Sequence, residues 1–453
     1  MSIVILAAGQ GTRMRSDLPK VLHSLAGKPL LGHVLDCAKA LAADDICVVY
    51  GHGGQTVRSV FATEPLRWAL QAEQLGTGHA IKQAMPETPD ANRVLVLFGD
   101  VPLLMPETLS VLLQQTPLDD MAVLTVDMDD ATGYGRIVRE GGSVRSIVEE
   151  KDASDGQKAL REINTGVMLF PAVKLKAWLE QLGNDNVQGE YYLTDVVAMA
   201  VNDKVAVHGI KASSPVEVMG INDKKQLAIA ERALQARLVD QLMQDGVGFA
   251  DPARVDIRGT LTCGKDVFID INAVFEGDVE LGDGTTIESN NLVRDSKLGA
   301  GTALHSNCHI EGATTGRDCE IGPFARLRPG AELANNVKIG NFVEVKKSRI
   351  ADGSKVNHLT YIGDADIGTD VNVGAGTITC NYDGVAKHKT TIGDNASIGS
   401  NVNLVAPVEI GRGATIGAGS TISKPAPADQ LTVARAKQVT VEGWKRPVKK
   451  GTK

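Results

Sequence analysis

The stretch Ile392-Gly-Asp-Asn-Ala-Ser-Ile398-Gly-Ser-Asn-Val-Asn-Leu404-Val-Ala-Pro-Val-Glu-Ile410-Gly-Arg-Gly-Ala-Thr-Ile416-Gly-Ala-Gly-Ser-Thr-Ile422 carries an aliphatic residue at every sixth position. Ile321, Leu327, Leu333, Ile339 and Val345 keep the same step, as do Ile257, Cys263, Ile269, Phe275, Leu281 and Ile287. Side chains repeat every 2 residues on a strand and about every 3.6 on a helix, so this period fits neither alone. It fits a solenoid in which each hexad is one short strand plus a turn. Three hexads then close a triangular coil of about eighteen residues with the aliphatic side chain inward. Gly follows the aliphatic residue at Ile321, Ile339, Ile392, Ile398, Ile410 and Ile416, where it permits the close approach that a corner demands. A β-sandwich with regularly spaced strands would not hold a six-residue phase over six consecutive hexads.

The phase slips in three places. Five residues separate Val345 from Ile350 and Ile362 from Ile367, and thirteen separate Thr379 from Ile392. A slip must be absorbed as a bulge or an extruded loop, and loops on rigid scaffolds are where function concentrates. The longest interruption is Cys380–Lys389. The repeat resembles the left-handed parallel β-helix of hexapeptide-repeat acyltransferases. Its left hand is contrary to the usual crossover rule and is implied by that resemblance alone.

A chain of 453 residues is long enough for two to four domains, and 43% hydrophobic residues supply sizeable cores. With 47 Lys+Arg against 55 Asp+Glu, broad nucleic-acid binding is disfavoured. The six Cys form no CxxC pair, which argues against a disulfide framework or a zinc knuckle. His305, Cys308 and His309 cluster, but on a solenoid they read as turn and wall residues rather than as a metal site. The apolar start Met1–Ala8 is too short for a secretory segment and has no basic flank. No stretch approaches the ~18 apolar residues of a membrane span. A cytoplasmic enzyme in a reducing compartment is expected.

Ser2–Ala8 is an apolar run ending in Gly9-Gln-Gly11-Thr-Arg13, which reads as a buried strand feeding a loop whose backbone N–H groups face an anion. Met14 stands where a dinucleotide fingerprint needs its third Gly, and no GxxxxGK[ST] occurs. Arg13 and Lys20 place two cations where a triphosphate could be neutralised. Leu6-Ala-Ala-Gly-Gln-Gly-Thr-Arg13 followed by Leu18-Pro-Lys20 resembles the signature of sugar-1-phosphate nucleotidyltransferases. Joined to the hexapeptide solenoid, the whole chain resembles the bifunctional family of N-acetylglucosamine-1-phosphate uridyltransferase and glucosamine-1-phosphate acetyltransferase. The resemblance implies acetylation of glucosamine-1-phosphate by acetyl-CoA and then UMP transfer from UTP, with Mg²⁺, in a homotrimer that serves cell-wall precursor synthesis.

Strands Ile46–Tyr50, Asn92–Phe98 and Met121–Val126 alternate with helical segments. This predicts an α/β doubly wound, Rossmann-like domain over 1–224 with ligands at the carboxyl ends of its strands. Residues 225–246 carry Leu227, Ala230, Leu234, Leu238 and Leu242 at helical spacing and read as a connecting helix. Residues 247–453 form the β-helix with a basic tail. The resemblance assigns the nucleotide to Leu6, Ala7, Ala8, Gly9, Gly11, Thr12, Arg13 and Lys20. Gln71 has an amide that can donate and accept at a pyrimidine edge, with a surface turn as the alternative; the resemblance assigns Gln71, Gly76 and Thr77 to uracil. Asp100 ends a buried strand, which is costly unless a cation or hydrogen bonds hold it. In the family it binds Mg²⁺ together with a residue matching Asn222, a hard-oxygen set that suits this ion. Gly135, Glu149 and Asn164 match the sugar-binding segments, the resemblance adds Asn222 to the sugar phosphate, and Glu149 alone would read as part of a solvated charge run. Phe98 stands where many relatives have Tyr. Gln188–Asp195 also matches a family segment, with no chemical role assigned.

Acetyl transfer needs a base that titrates near neutrality, because much of a sugar amine is ammonium at that pH. His358 is the candidate. The resemblance places Arg328, Lys346, Tyr361 and Asn372 on the sugar phosphate, with Glu344 at a matching position. It places Ala375, Asn381, Tyr382, Ser400, Ala418 and Arg435 on acetyl-CoA, in a groove between neighbouring solenoids. Ala434 replaces a Ser found in many relatives. Lys437–Lys453, with six Lys/Arg, one Glu and Trp444, is either a solvated tail or a cover for the acetyl-transfer site. Uridylyl transfer needs no base, since a phosphate oxygen already carries charge. Two other readings compete: a single-activity nucleotidyltransferase whose β-helix only oligomerises, and a β-helix that is a scaffold without catalysis.

Overall fold

A computed structural model describes residues 1–51, 54–88 and 92–449. The chain divides into two compact units, Met1–Arg237 and Leu238 onward.

In the first unit the sheet is built around β1 (Ser2–Ala7), buried along its whole length and paired in parallel on both sides. Such a strand reads as a continuous apolar run because both of its faces are covered. Ile3, Ile5 and Ala7 enter one core and Val4 and Leu6 the other, as the two-residue strand period requires. With β2 (Asp45–Tyr50), β3 (Arg67–Leu70), β4 (Arg93–Phe98), β5 (Met121–Asp127), β6 (Arg136–Glu140), β7 (Ser143–Val148), β8 (Glu162–Pro171) and β9 (Val207–Lys211), the order is β9-β5-β8-β4-β1-β2-β3. The β6–β7 hairpin joins through β8. The sheet is mixed rather than purely parallel, because β8 runs antiparallel to both β4 and β5. Its register shifts between Asn164 and Met168. A bulge of this kind re-aims side chains, and it falls inside the segment matched to the sugar.

The second unit is the parallel β-helix of the left-handed hexapeptide type. One wall is a stack of strands from Gly248–Phe249 to Leu431–Thr432, and the other two walls merge into a second stack. Inward residues pair coil on coil: Ile321 with Ile339, Leu327 with Val345, Ile398 with Ile416. They form one continuous core from Val239 to Ala426. The register adds two five-residue steps to those read from the sequence: Val293 to Leu298, between two aliphatic residues, and Ile310 to Thr315, which a buried Thr closes. These steps, those at Ile350 and Ile367 and the thirteen-residue gap before Ile392 all fall at the same corner of the prism. Among the described residues, that corner is the one place where the coil length varies.

Corner glycines are sterically required where the next coil's backbone lies closest. A Cβ on Gly340 would sit 2.0 Å from the Asn357 carbonyl oxygen. Backbone cannot rotate away as a side chain can. Gly340→Ala is expected to destabilise the β-helix by about 1–3 kcal/mol, read as a lowered second unfolding transition with the first unchanged.

Helix Lys224–Gln244 spans the boundary between the units. Ala230 and Leu234 are buried, Glu231 accepts a hydrogen bond from the Ala26 amide, and Arg237 donates to the Leu103 carbonyl in the first unit. Val239 belongs to the core of the second. Among the described residues no helix is long and apolar enough to cross a membrane.

Candidate active sites

At the carboxyl ends of β1 and β4, a cleft of about 280 Å³ is lined by Leu6, Ala7, Ala8, Gly9, Lys20, Gln71, Gly76, Thr77, Phe98 and Asp100. Eight of the expected nucleotide contacts and one expected metal ligand therefore share one cavity. Gly11, Thr12 and Arg13 do not line it. They form the turn above the loop, with Thr12 and Arg13 exposed. Gly11 is left-handed, with φ 63°, and a Cβ there would lie 2.7 Å from Lys20 Cβ. Only glycine lets the loop rest on the lysine stem.

The Lys20 ammonium bonds the Asp100 carboxylate and, at 3.0 Å, Asn222 Oδ1. Two oxygens from segments more than a hundred residues apart thus converge on a single positive charge, and a hard divalent cation would find the same donor set. Among the described residues no group of three or more His, Cys, Asp or Glu is arranged to hold a metal. His305 instead pairs with Glu288 at 2.9 Å, and Cys308 is buried in the wall.

Gln71 is buried, and its amide nitrogen donates to the Gly76 carbonyl at 3.0 Å. Its donor is thereby engaged in shaping the Gly76–Thr77 turn. A Cβ on Gly76 would be 2.6 Å from the Tyr191 carbonyl, and Thr77 Oγ1 accepts from the Leu193 amide at 3.0 Å. Gln188–Asp195, which carried no role in the sequence, is therefore the backing of this turn, and it delivers Glu190 to the cleft. The Phe98 ring packs against Gly166, where a Cβ would be 2.5 Å away. Gln74, also absent from the sequence-based set, lines the cleft and donates to the Ala8 carbonyl.

Glu149 lies over Gly135, whose Cβ would be 3.4 Å from both carboxylate oxygens. The Asn164 amide donates to the Gly135 carbonyl at 2.8 Å, so the three expected sugar contacts are adjacent. Burial raises the Glu149 pKa above its ordinary value, and the charges of Asp195, Asp152 and Glu190 add to the rise. A hydrogen bond from the Thr194 hydroxyl at 3.0 Å opposes it. A carboxyl raised on folding contributes stability at pH below its unfolded value and loses it as pH rises through the folded one. Above the unfolded pKa, burying this carboxyl is thus a cost to the fold. Glu149→Gln is expected to raise the melting temperature of the first unit at pH 7, with the gain shrinking as pH falls through the range between the two pKa values. A gain that grew toward acid would contradict this.

In the β-helix, strand Lys355–His358 ends at His358, whose Nδ1 lies 2.8 Å from Asn341 Oδ1 one coil earlier. A proton on Nδ1 would be held by that carbonyl oxygen, leaving Nε2 as the acceptor. The strand register continues this column: Val356 pairs with Val373, Val373 with Ile398 and Ile398 with Ile416. Asn341, His358, Ala375, Ser400 and Ala418 therefore stack along one corner. Arg435 lies beside it, donating to the Ala418 carbonyl at 2.6 Å. Glycines 374 and 399 precede the small residues, and a Cβ on either would come within 2.6 Å of the next coil's amide nitrogen. From Ala375 through Ser400 to Ala418 the strip carries only small side chains.

Across the adjoining wall lies a second cluster. Tyr361 pairs in register with Glu344, and Gly363 with Lys346. Arg328 is bonded to Glu344 at 2.7 Å. Lys346 has its pKa lowered by its contact with Lys387, then by the charges of Lys387 and Arg328. Three cations, Arg328, Lys346 and Lys387, thus gather here against two carboxylates, Glu344 and Asp364. Asn381 is buried, donates to Asp364 Oδ2 at 2.6 Å and lies 3.5 Å from the Tyr361 hydroxyl. Tyr382 and Asn372 are exposed. Asn341, Asp364 and Lys387 were missed in the sequence, because only coil stacking makes them neighbours. Lys387 could have been suspected from its place in the extruded loop. Of the tail, residues up to 449 are described and exposed, Trp444 among them, while 450–453 lie outside the described residues.

Comparison with known proteins agrees with both halves. The MobA-like NTP transferase domain matches residues 3–184, and the bacterial transferase hexapeptide (six repeats) matches 312–347 and 389–424. The coils seen from Gly248 onward extend well before the first hexapeptide match. A protein of Aromatoleum aromaticum named bifunctional protein GlmU is 56% identical over 451 residues, covering 99% of each chain. One of the same name from Azoarcus is 56% identical over 450 residues, covering 99% of this chain and 100% of its own. Another from Ralstonia nicotianae is 55% identical over 450 residues, covering 99% of both. At that identity along nearly the whole length, the chain belongs to the bifunctional GlmU family and is both a uridylyltransferase and a glucosamine-1-phosphate acetyltransferase.

Proposed function

We propose that the two activities are carried by the two clusters described above, each within its own unit. In the first, the Gly9–Thr12 amides, Arg13 and Lys20 take up charge on the α-phosphate of UTP and the leaving pyrophosphate. Gln71, Gly76 and Thr77 hold uracil, and Gly135, Glu149 and Asn164 hold N-acetylglucosamine-1-phosphate. The attacking phosphate oxygen needs alignment rather than deprotonation. Asp100 and Asn222 would hold Mg²⁺, which when bound supplies further charge neutralisation at the phosphates.

In the second, His358 Nε2 takes a proton from the amine of glucosamine-1-phosphate as nitrogen forms a bond to the thioester carbonyl carbon. The C–S bond then breaks and the thiolate of coenzyme A accepts a proton. Arg328 and Lys346 hold the phosphate, Tyr361 and Asn372 the sugar. Ala375, Asn381, Tyr382, Ser400, Ala418 and Arg435 hold acetyl-CoA. The observation that carries this reading is the His358–Asn341 pair heading a strip of small residues beside an excess of positive charge. A β-helix that only oligomerised would need neither.

A homotrimer in the cytoplasm fits the substrates. Phe324, Phe342 and Leu359, exposed in succession at one corner, supply apolar surface for a second copy, and a sedimentation mass three times that of the chain is the expected result. Residues 225–246 serve as the connector between domains 1–224 and 247–453.

The test of function is a coupled assay with glucosamine-1-phosphate, acetyl-CoA, UTP and Mg²⁺ that reads free thiol and pyrophosphate separately. Both signals are expected, with pyrophosphate lagging behind thiol. Pyrophosphate from supplied N-acetylglucosamine-1-phosphate without any thiol release would reduce the β-helix to a scaffold.

A further inference from the structure

Arg136 follows Gly135 directly, and its side chain is 2% exposed, which makes it one of the largest fully buried side chains in the chain. Its guanidinium reaches four groups in three segments. Nε donates to the Leu160 carbonyl at 3.0 Å, Nη1 to the Tyr134 carbonyl, and Nη2 to the Lys158 carbonyl at 3.5 Å. Nη2 also lies 2.7 Å from the Glu150 carboxylate as an ion pair, off the hydrogen-bonding direction. Each segment leads straight into an expected sugar contact: Tyr134 into Gly135, Glu150 back to Glu149, and Leu160 onward to Asn164. The segment ending at Lys158 is itself held by a capping box of Ser154 and Gln157.

We infer that Arg136 is the positioning residue of the uridyltransferase sugar subsite, fixing Gly135, Glu149 and Asn164 relative to one another and thereby setting which sugar phosphate is accepted. The inference rests on the sugar reading of those three residues. A planar fork with five donors can hold carbonyls and a carboxylate in divergent directions at once, and a lysine ammonium on a flexible stem cannot. Burying a guanidinium merely to fill space is poor economy, since apolar residues of like volume do so at least as well. What the fork adds is fixed geometry among three strands and loops.

The test compares Arg136→Lys and Arg136→Gln with Glu149→Ala in the full-length enzyme, measuring KM for N-acetylglucosamine-1-phosphate, KM for UTP, thiol release and the unfolding transitions. Arg136→Lys keeps the charge near Glu150 but releases the carbonyls. It is expected to raise KM for the sugar phosphate by about ten- to a hundredfold, with KM for UTP within about twofold and thiol release unchanged. Arg136→Gln should do at least as much. If Arg136→Lys leaves the sugar KM unchanged while Glu149→Ala raises it, the positioning role is wrong and the subsite stands. If Glu149→Ala itself leaves the sugar KM unchanged, the sugar reading fails first. A lysine variant that raises both KM values equally, or that loses the unfolding transition of the first unit, marks Arg136 as a purely structural residue and overturns the inference.

Discussion

Replacing His358 by alanine will lower thiol release from acetyl-CoA by about 10²- to 10⁴-fold, while pyrophosphate release from UTP and supplied N-acetylglucosamine-1-phosphate continues at the parent rate. The range is that of a single general base. Without Nε2 the amine must lose its proton to water, and at neutral pH much of it stays ammonium and cannot attack. The side chain sits at the outer end of its strand, and it pairs with Asn341 rather than with the core, so its loss opens no cavity and the β-helix should melt as before. Raising the pH supplies free amine without the base. The variant's deficit is therefore expected to narrow in alkaline buffer, a recovery that a folding defect would not produce. Asn341→Ala should give a smaller loss in the same direction, because it removes only what orients the ring.

Lys20→Ala is expected to do the reverse, cutting pyrophosphate formation by about 10²- to 10³-fold and leaving thiol release intact. The side chains of Lys20 and Asp100 are 12% and 14% exposed, so the ammonium acts in a site largely withdrawn from water, where a positioned charge counts for more. Lys20→Arg will not restore the rate. The lysine stem is wedged beneath Gly11, at a distance where even one added carbon on the glycine would collide, and a guanidinium is wider and presents its charge differently. The change should also lower the melting temperature of the first unit, since Asp100 is left without its counter-charge.

The solenoid was legible because its period is written in a single residue class, and because Gly after the aliphatic residue marks the corner. Where a Thr replaces the aliphatic residue, as at Thr315, the phase is lost to the eye but not to the fold, whereas the short step from Val293 to Leu298 was legible in the aliphatic spacing. The slips pointed correctly to the corner where coil length varies, yet nothing in the spacing says that every irregularity shares it. The glycine loop and the Asp ending β4 were visible because a turn and a buried charge each leave a local signature. The antiparallel course of β8 left none, since a strand buried on both faces looks the same in either direction. Gln74, Thr194, Asn341 and Asp364 acquire their roles only through partners 17 to 66 residues away in sequence. Arg136 is the clearest instance: one arginine between a glycine and an isoleucine reads as solvent-exposed until the bulged strand and the hairpin close over it.

The two sites are expected to work independently of each other, so that disabling one leaves the other intact. This claim is tested most directly by mixing the His358→Ala and Lys20→Ala proteins with glucosamine-1-phosphate, acetyl-CoA, UTP and Mg²⁺. Alone, each should yield almost no UDP-N-acetylglucosamine from these substrates. Together they are expected to restore it, because acetylated sugar made by one protein diffuses to the intact nucleotidyl site of the other. Both proteins folded, each active in its surviving half-reaction, and still no product on mixing would contradict the claim.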